Sequence, residues 1–148
     1  MTPPPAEPSA EDLQARLVAF VRAFGLHQPD ETPCGSPVPV SEAHALWVLA
    51  DRGPLTQTDL VLHLSLGKST VSRLVDQLVA RGWADRHPSE QDARRRLVQL
   101  TPDGARTAAG LARSRAARFA RLLDRIPEAD RAGVLAALDT LAEAAREP

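Results

Sequence analysis

The sequence has no tyrosine, and aromatic residues make up only 3% of its 148 positions. Its core must therefore consist mainly of Leu, Val and Ala, a composition that favours helices. The single cysteine, Cys34, excludes an intrachain disulfide framework and is typical of a protein from a reducing cytoplasm. No apolar run approaches the roughly 20 residues that a membrane helix requires, so we expect no contact with a membrane.

The beginning of the sequence lacks the features of a secretory signal. The segment MTPPPAEPSAEDL contains neither a basic stretch nor an apolar one. Four prolines within residues 1–8 predict a disordered tail instead. We therefore expect a cytoplasmic protein with a single domain over residues 9–148, which is long enough to bury a hydrophobic core.

The charges nearly cancel, but they are unevenly placed. The formal net charge is −1, from 18 Lys and Arg against 19 Asp and Glu. Residues 1–67 carry three basic and eight acidic side chains, whereas residues 68–96 carry seven basic and four acidic ones. This local excess includes the run Arg94, Arg95 and Arg96, and it predicts that one part of the molecule contacts a polyanion.

Helix signals lie on both sides of a proline-rich loop in the first third of the sequence. A capping box at Ser9 predicts a helix that ends at Gly25. The loop at residues 26–40 contains four prolines, which forbid a regular element there. Ser41 then predicts the cap of a second helix, from Glu42 to about Asp51.

The next segment has the pattern of a helix-turn-helix. Thr56 predicts the cap of a short helix over residues 57–64, and the turn SLG separates it from a second helix over 68–81. The second helix has an apolar stripe and an opposite polar face, as a DNA-recognition helix requires. Short hydroxyls allow close approach to phosphates, and arginine pairs with guanine edges. The candidate DNA contacts on this helix are Lys68, Ser69, Thr70, Ser72, Arg73 and Gln77. The alternative is that these residues form an ordinary exposed face, with Thr70 belonging to the helix start.

Two short strands directly after this helix predict a β-wing. Residues 83–87 and 95–100 flank a polar turn. The predicted fold is therefore mainly α with a small β-wing: a winged helix-turn-helix lobe plus a helical region.

Two further helices complete the predicted fold. Thr101 caps the first, which runs from Pro102 to about Arg125, and Pro127 begins the last one, to about Glu147. The last helix carries an apolar stripe formed by Val134, Leu138, Leu141 and Ala145. Too few helices surround this stripe to bury it, so a partner chain is expected.

The order and residues of these elements, above all over residues 55–105, resemble the multiple-antibiotic-resistance regulator (MarR) family of winged helix-turn-helix repressors. The most specific part is the family's wing signature, an Asp, one residue, an Arg and then LxxLTxxG. The residues that match it are Asp92, Arg94, Leu97, Leu100, Thr101 and Gly104. With the flanking helices the resemblance covers about residues 10–147.

The resemblance implies an obligate homodimer that binds a pseudo-palindromic operator in double-stranded DNA. Residues 9–40 and 102–148 would form the dimerisation helices and loop, and residues 41–101 the winged helix-turn-helix. The helix at 68–81 would lie in the major groove. By the same resemblance the wing-tip Arg94 reaches the minor groove, and Asp92 helps to fix it.

The three arginines of the wing are not expected to have one role. Alternation along a strand puts Arg94 and Arg96 on one face and Arg95 on the other. Arg95 and Arg96 are open to two interpretations, phosphate contact and solubility.

No pattern in the sequence favours an enzyme. The segment GKST at residues 67–70 imitates the end of a phosphate-binding loop, but that motif needs a glycine where Leu62 stands and a preceding strand. Nucleophile–histidine and paired-carboxylate spacings are also missing. We therefore predict a non-enzymatic transcriptional regulator that requires no cofactor. A winged-helix module that binds another protein is a distant alternative.

The signal that would release DNA is open to three interpretations. The family often binds small aromatic acids between the dimerisation helices and the winged lobe, where His44, Trp47 and Val48 are the candidate effector contacts. Alternatively, Cys34, Glu42 and His44 bind zinc or another metal, which accepts these ligand types. Against this, Glu42 and His44 are two positions apart and do not face one way in a helix. In the third interpretation Cys34 senses oxidation, for which its thiolate must be stabilised.

Overall fold

The structure is a computed structural model that describes residues 7–28, 30–92 and 94–146. The described residues form six helices and a three-stranded antiparallel sheet in the order β1-β3-β2. The helices are α1 (Ala10–Phe24), α2 (Val40–Arg52), α3 (Gln57–Leu64), α4 (Lys68–Ala80), α5 (Pro102–Asp124) and α6 (Glu128–Ala144). The strands are β1 (Leu55–Thr56), β2 (Ala84–Pro88) and β3 (Arg96–Leu100). The predicted fold, mainly α with a small β-wing, is confirmed.

Most of the predicted tail, and the predicted helix end at Glu147, lie outside the described residues. Within the described part, no helix is long and apolar enough to cross a membrane.

Side-chain caps account for the helix starts that the sequence predicted correctly. Ser9 and Asp12 form a reciprocal capping box at α1, and Thr56 and Asp59 form another at α3. In each box two of the first backbone N–H groups of the helix find acceptors that the helix itself cannot provide. At the other end of α1, Gly25 adopts φ of 87°, the left-handed conformation that suits glycine.

The predicted cap at Ser41 is wrong. Helix α2 begins at Val40, so Ser41 lies inside the helix, and the residue before the helix is Pro39 with φ of −53°. Proline's ring fixes φ near the helical value, so the chain enters the helix without a side-chain cap.

Three smaller differences concern helix ends and the sheet. The recognition helix ends at Ala80 rather than Arg81, and the last helix at Ala144, so Ala145 follows the helix. A two-residue strand, β1, pairs with β3 and was not predicted because so short a segment has no periodicity.

The hydrophobic core lies within the winged lobe. Its buried side chains come from residues 45 to 108, and the largest fully buried ones are Leu46, Leu60, Val71, Val75, Leu78 and Val98. Helices α1 and α6 contribute no buried residue. Their apolar residues, among them Leu13, Leu17, Phe20, Val134, Leu135 and Leu138, are exposed in the single chain. The apolar stripe predicted on the last helix therefore has no cover within the described part of this chain.

The start of α5 is joined closely to the end of the recognition unit. The Thr101 hydroxyl donates a hydrogen bond to the carbonyl of Gly82 (2.6 Å), and the Thr101 N–H donates to the carbonyl of Trp83 (3.0 Å). Gly104, one helical turn later, faces the same Trp83 carbonyl. These contacts give a physical reason for the Thr and Gly of the LTxxG segment, because they fix the wing to the long helix α5.

Candidate nucleic-acid interface and adjacent cavity

Helix α4 separates its side chains into an inner and an outer face. Four apolar side chains, Val71, Leu74, Val75 and Leu78, are buried in the core. Of the predicted DNA contacts on the opposite face, Ser72 is half-buried, and the exposed ones are Lys68, Ser69, Thr70, Arg73 and Gln77. The helix therefore presents a polar face that a nucleic acid can reach, as its sequence pattern predicted.

The wing exposes all three consecutive arginines, and Asp92 orders the turn that carries them. The Asp92 carboxylate accepts a hydrogen bond from the backbone N–H of Arg94 (3.0 Å), and the Asp92 carbonyl accepts one from the N–H of Arg95 (2.9 Å). Ser89 closes the turn from the other side by donating its N–H to the carbonyl of Arg95 (2.9 Å). Asp92 thus acts on the backbone of Arg94, which leaves the charged end of that side chain available.

An ion pair that the sequence did not predict ties the wing to the recognition helix. Arg86 on β2 donates from Nη2 to Oδ1 of Asp76 on α4, at 2.6 Å. Both side chains are partly exposed, so the pair contributes little to the free energy of unfolding, and its main effect is on the orientation of the wing relative to α4. No local pattern could have revealed it, since Arg86 and Asp76 belong to different elements.

The arginines line a cleft between the wing and α3. The cleft has a volume of about 690 Å³ and includes Thr56, Gln57, Asp59, Asp76 and Arg86 beside Arg94, Arg95 and Arg96. Arg95 also lines a second hollow, with Leu97 and Gln99, in which Arg94 and Arg96 take no part. Hydrogen bonds from Thr56 hold the pKa of Asp59 below its usual range, and the positive charge of Arg95 lowers that pKa further.

An apolar cavity of about 220 Å³ lies on the other side of the lobe, between α1, α2, α5 and the loop that precedes α2. His44 and Trp47 stack along its wall with ring centroids 5.6 Å apart, and the guanidinium of Arg115 lies 5.2 Å from the Trp47 ring. The remaining lining includes Phe24, Leu26, Cys34, Leu111 and Phe119. Two of the three predicted effector contacts therefore border one cavity, whose charged side chain, Arg115, the sequence did not suggest.

The third predicted effector contact, Val48, does not line this cavity. Its side chain is buried in the core of the winged lobe. Successive side chains on a helix point about 100° apart, so Val48 turns inward where Trp47 turns towards the cavity.

The predicted metal ligands are not brought together. Cys34 and His44 both line the cavity, but Glu42 is buried and forms an ion pair with Arg81, Nε to Oε2, at 2.7 Å. Among the residues that the structure describes, no group of three His, Cys, Asp or Glu side chains could hold a metal ion. The physical reason is the one that the helix spacing gave, because Glu42 and His44 leave α2 in different directions.

The geometry of these elements defines the class of the protein. A short helix, a tight turn, an exposed polar helix and a two-stranded arginine-bearing wing make a winged helix-turn-helix protein.

Comparison with known proteins shows which family the chain is similar to. The model of the MarR family matches residues 36–95. The multiple antibiotic resistance protein MarR of Salmonella typhimurium is 42% identical over 53 residues, which is 36% of this chain and 37% of that protein's length. The match therefore spans little more than a third of that relative. A longer and weaker match is a HTH-type transcriptional regulator of Mycobacterium bovis, 26% identical over 132 residues and 89% of each chain.

Solved structures match over nearly the whole chain. RV1404 from Mycobacterium tuberculosis superposes with a TM-score of 0.76 at 25% identity, covering 98% of this chain and 100% of that one. FabT of Streptococcus pneumoniae, solved in complex with DNA, gives a TM-score of 0.77 at 21% identity over 91% and 96%. BpsR of Bordetella bronchiseptica, whose DNA binding is regulated by 6-hydroxynicotinic acid, gives 0.67 at 21% over 96% and 98%. Together with the match to the family model, these likenesses confirm the resemblance to the MarR family seen in the sequence.

Proposed function

We propose that the protein is a sequence-specific DNA-binding transcriptional regulator, and that it represses transcription until a small molecule releases it. The observation that carries this proposal is the exposed polar face of α4 beside the arginine-bearing wing, which the Arg86–Asp76 pair joins to that helix. Two positively charged elements at a set spacing suit two neighbouring grooves of one duplex. The DNA complex of FabT, a protein of the same fold, supports the proposal.

The division of labour follows from side-chain chemistry. Arg73 on α4 suits guanine edges in the major groove, and the hydroxyls of Ser69, Thr70 and Ser72 suit phosphates. Arg94 at the wing tip suits the minor groove, where a narrow groove concentrates negative potential. Arg95 and Arg96 act on the phosphate backbone beside it.

The regulator acts as a homodimer on a pseudo-palindromic operator in the cytoplasm. Helices α1 and α6 expose their apolar stripes and bury no residue, so a second copy that covers these stripes would stabilise both chains. A two-fold dimer presents two recognition helices and two wings, which matches half-sites about one helical turn apart.

The effector is a small organic acid that binds in the cavity beside Trp47. The cavity walls are mostly apolar, and Arg115 supplies a cation where a carboxylate would need one. His44 and Trp47 offer stacked aromatic faces to a planar ring. BpsR, which responds to 6-hydroxynicotinic acid, supports this ligand class. A ligand in this cavity releases DNA only if it binds the DNA-competent and the incompetent dimers with different affinities.

A redox- or metal-responsive regulator is the second candidate. The observation in its favour is that Cys34 and His44 border the same cavity. Glu42 does not favour a three-residue metal site, because its carboxylate is already paired with Arg81.

One experiment tests the function directly. Purified protein is mixed with sheared DNA of its own genome, and the retained fragments are sequenced and then titrated individually. We expect a small set of fragments that share an inverted repeat, each bound by two chains as judged by light scattering. Retention that does not enrich any fragment, or a stable monomer at micromolar concentration, would contradict the proposal.

A further inference from the structure

We propose that the ion pair between Glu42 and Arg81 transmits changes between the cavity and the recognition helix, so that Glu42 is a positioning residue for DNA release. This inference rests on the proposed function, since it assigns a route for the regulation that the function requires. Neither end of the pair belongs to the DNA-binding face or to the cavity wall itself.

The geometry of the pair is close and unusual. Nε of Arg81 lies 2.7 Å from Oε2 of Glu42, and Nη2 of Arg81 donates to Oε1 at 3.4 Å. The Glu42 side chain is 3% exposed, whereas that of Arg81 is 42% exposed. Among the described residues no well-directed hydrogen bond reaches Oε2, so this buried oxygen depends on the charge of Arg81.

The free energy of a buried carboxylate that has a single partner rises steeply when that partner moves away. A charge that has been removed from water is costly to the fold unless its partner stays in place. A shift of α2 that stretches this contact therefore favours a matching shift of Arg81. An exposed ion pair would not transmit the displacement, because water would replace the lost contact at little cost.

One end of the pair lies in the turn of α2 that forms the cavity wall. Val40, Ala43 and His44 line the cavity, and Glu42 lies between them in sequence and points away from it. A ligand that pushes against this turn moves Glu42 with it, since a helical turn is held by its own backbone hydrogen bonds.

The other end lies where the recognition helix stops. Arg81 directly follows α4, and its N–H donates to the carbonyl of Gln77. Its guanidinium also lies 4.9 Å from the centre of the Trp83 ring, in a cation–π contact. Trp83 packs against the core and starts the wing, so Arg81 touches both DNA-reading elements at their common end.

The two tryptophans of the chain allow a test that needs no known effector. Trp47 borders the cavity and Trp83 borders the ion pair, and there are no others. Coupling is reciprocal, so DNA that binds α4 must change the cavity if the cavity changes DNA binding. In the variant Trp83→Phe, which keeps an aromatic ring under Arg81, all tryptophan emission comes from Trp47.

The experiment titrates this variant with an operator duplex taken from the genomic selection. Anisotropy of the labelled duplex reports binding, and Trp47 emission and its quenching by acrylamide report the cavity. The test variant adds Glu42→Gln, which keeps the shape of the side chain and removes its charge. The matched control adds Asp76→Asn, which breaks the ion pair between Asp76 and Arg86 but leaves Glu42 and Arg81 intact.

We expect Trp47 emission to change on saturation with DNA, and the Glu42→Gln variant to bind DNA but lose most of this change. The Asp76→Asn control should bind DNA more weakly and keep the full change at saturation. If Glu42→Gln does not fold, Arg81→Gln and the conservative Arg81→Lys replace it as test variants. Arg81→Lys should keep the change in Trp47 emission on DNA binding, and Arg81→Gln should lose most of it. Equal responses in the test variant and its parent, or no Trp47 response in the parent despite binding, would overturn the proposal. A duplex that does not bind the parent at all would instead contradict the proposed function.

Discussion

Gly104 and the carbonyl oxygen of Trp83 approach so closely that a Cβ on Gly104 would lie 1.8 Å from that oxygen. The backbone carbonyl cannot withdraw, because it accepts the N–H of Thr101. Only glycine fits, so the first turn of α5 can lie directly on the start of the wing.

We therefore expect Gly104→Ala to lower the free energy of unfolding by about 1–3 kcal/mol, the range of strain from overpacking. Urea unfolding followed by circular dichroism at one fixed protein concentration measures this. Gly110→Ala, in the same helix, is the control, because its Cβ would meet only the Arg113 guanidinium at 3.9 Å. That control should be neutral or gain up to about 1 kcal/mol from helix propensity. Equal behaviour of the two variants would contradict the explanation.

Arg94→Ala should weaken binding to nearly all duplexes by removing one charge contact at the wing tip. The slope of log affinity against log salt concentration should flatten by about one unit per half-site. Fluorescence anisotropy between about 50 and 200 mM salt measures both values. The control Arg146→Ala removes an exposed arginine that pairs with Glu143 near the end of the chain, and it should leave the slope unchanged. An unchanged slope in Arg94→Ala would show that Arg94 does not contact the DNA.

Arg73→Ala should change selectivity as well as affinity. An arginine that pairs with a guanine edge contributes about 1–3 kcal/mol of discrimination at that base pair. We expect single-base operator variants at one position to bind the variant nearly equally, while the wild type distinguishes them. Uniform weakening without loss of preference would instead assign Arg73 to a phosphate.

Three substitutions in the cavity distinguish the possible signals for release of DNA. For an organic acid, Cys34→Ser should leave release of DNA nearly intact, whereas Arg115→Gln should weaken it about tenfold or more, as expected for loss of an ion-paired contact. If a metal is the signal, Cys34→Ser and His44→Ala should each abolish the response with the dimer still folded. If oxidation is the signal, peroxide should release DNA from the wild type but not from Cys34→Ser, and a thiol reductant should restore binding. Operator affinity with and without each agent decides among the three.

The capping box at Thr56 and Asp59 predicts a loss of stability in acid. The folded protein holds the pKa of Asp59 below its usual range, mainly through the Thr56 hydroxyl, which donates to the carboxylate at 2.6 Å. A depressed pKa gives stability that is present above the unfolded value, near 4, and lost as the pH falls through the lower folded value.

Asp59→Asn should therefore be less stable than the wild type at pH 7, by about 0.5–2 kcal/mol for a lost cap, and the difference should shrink below about pH 4. Thr56→Val, which removes the hydroxyl donor, should lose part of the same dependence. Urea unfolding of all three proteins at several pH values measures it. A difference that stays constant from pH 7 to pH 3 would show that the carboxylate charge is not involved.

Local signals predicted most of the fold, because they act through neighbours in sequence. Capping residues such as Ser9, Thr56 and Thr101 and the apolar stripe of α4 each describe one element, and the structure agrees with them. Ser41 failed because a proline at Pro39 starts the helix by fixing the backbone, which needs no polar side chain.

The candidate site was less predictable because its important contacts join distant positions. Arg86 and Asp76 are 10 positions apart, and Arg81 and Glu42 are 39 apart. Neither pair has a spacing that a helix or strand would impose. Cys34, Glu42 and His44 looked like one cluster in sequence, but α2 sends Glu42 inward to Arg81. Which of several neighbouring polar residues faces a cavity depends on the packing of the whole helix.

The position of the core along the chain also determines which part of the protein can fold before its synthesis is complete. The buried side chains of the winged lobe end at Ala108, so a ribosome that has released this part of the chain has released every residue of that core. The lobe can fold while α6 is still being made. The apolar stripe of α1 is released before the lobe is complete and finds no cover in it, so under the proposed function a second copy of the chain would supply that cover. Pairing of two chains translated from one messenger would shorten that exposure, and dilution would lengthen it.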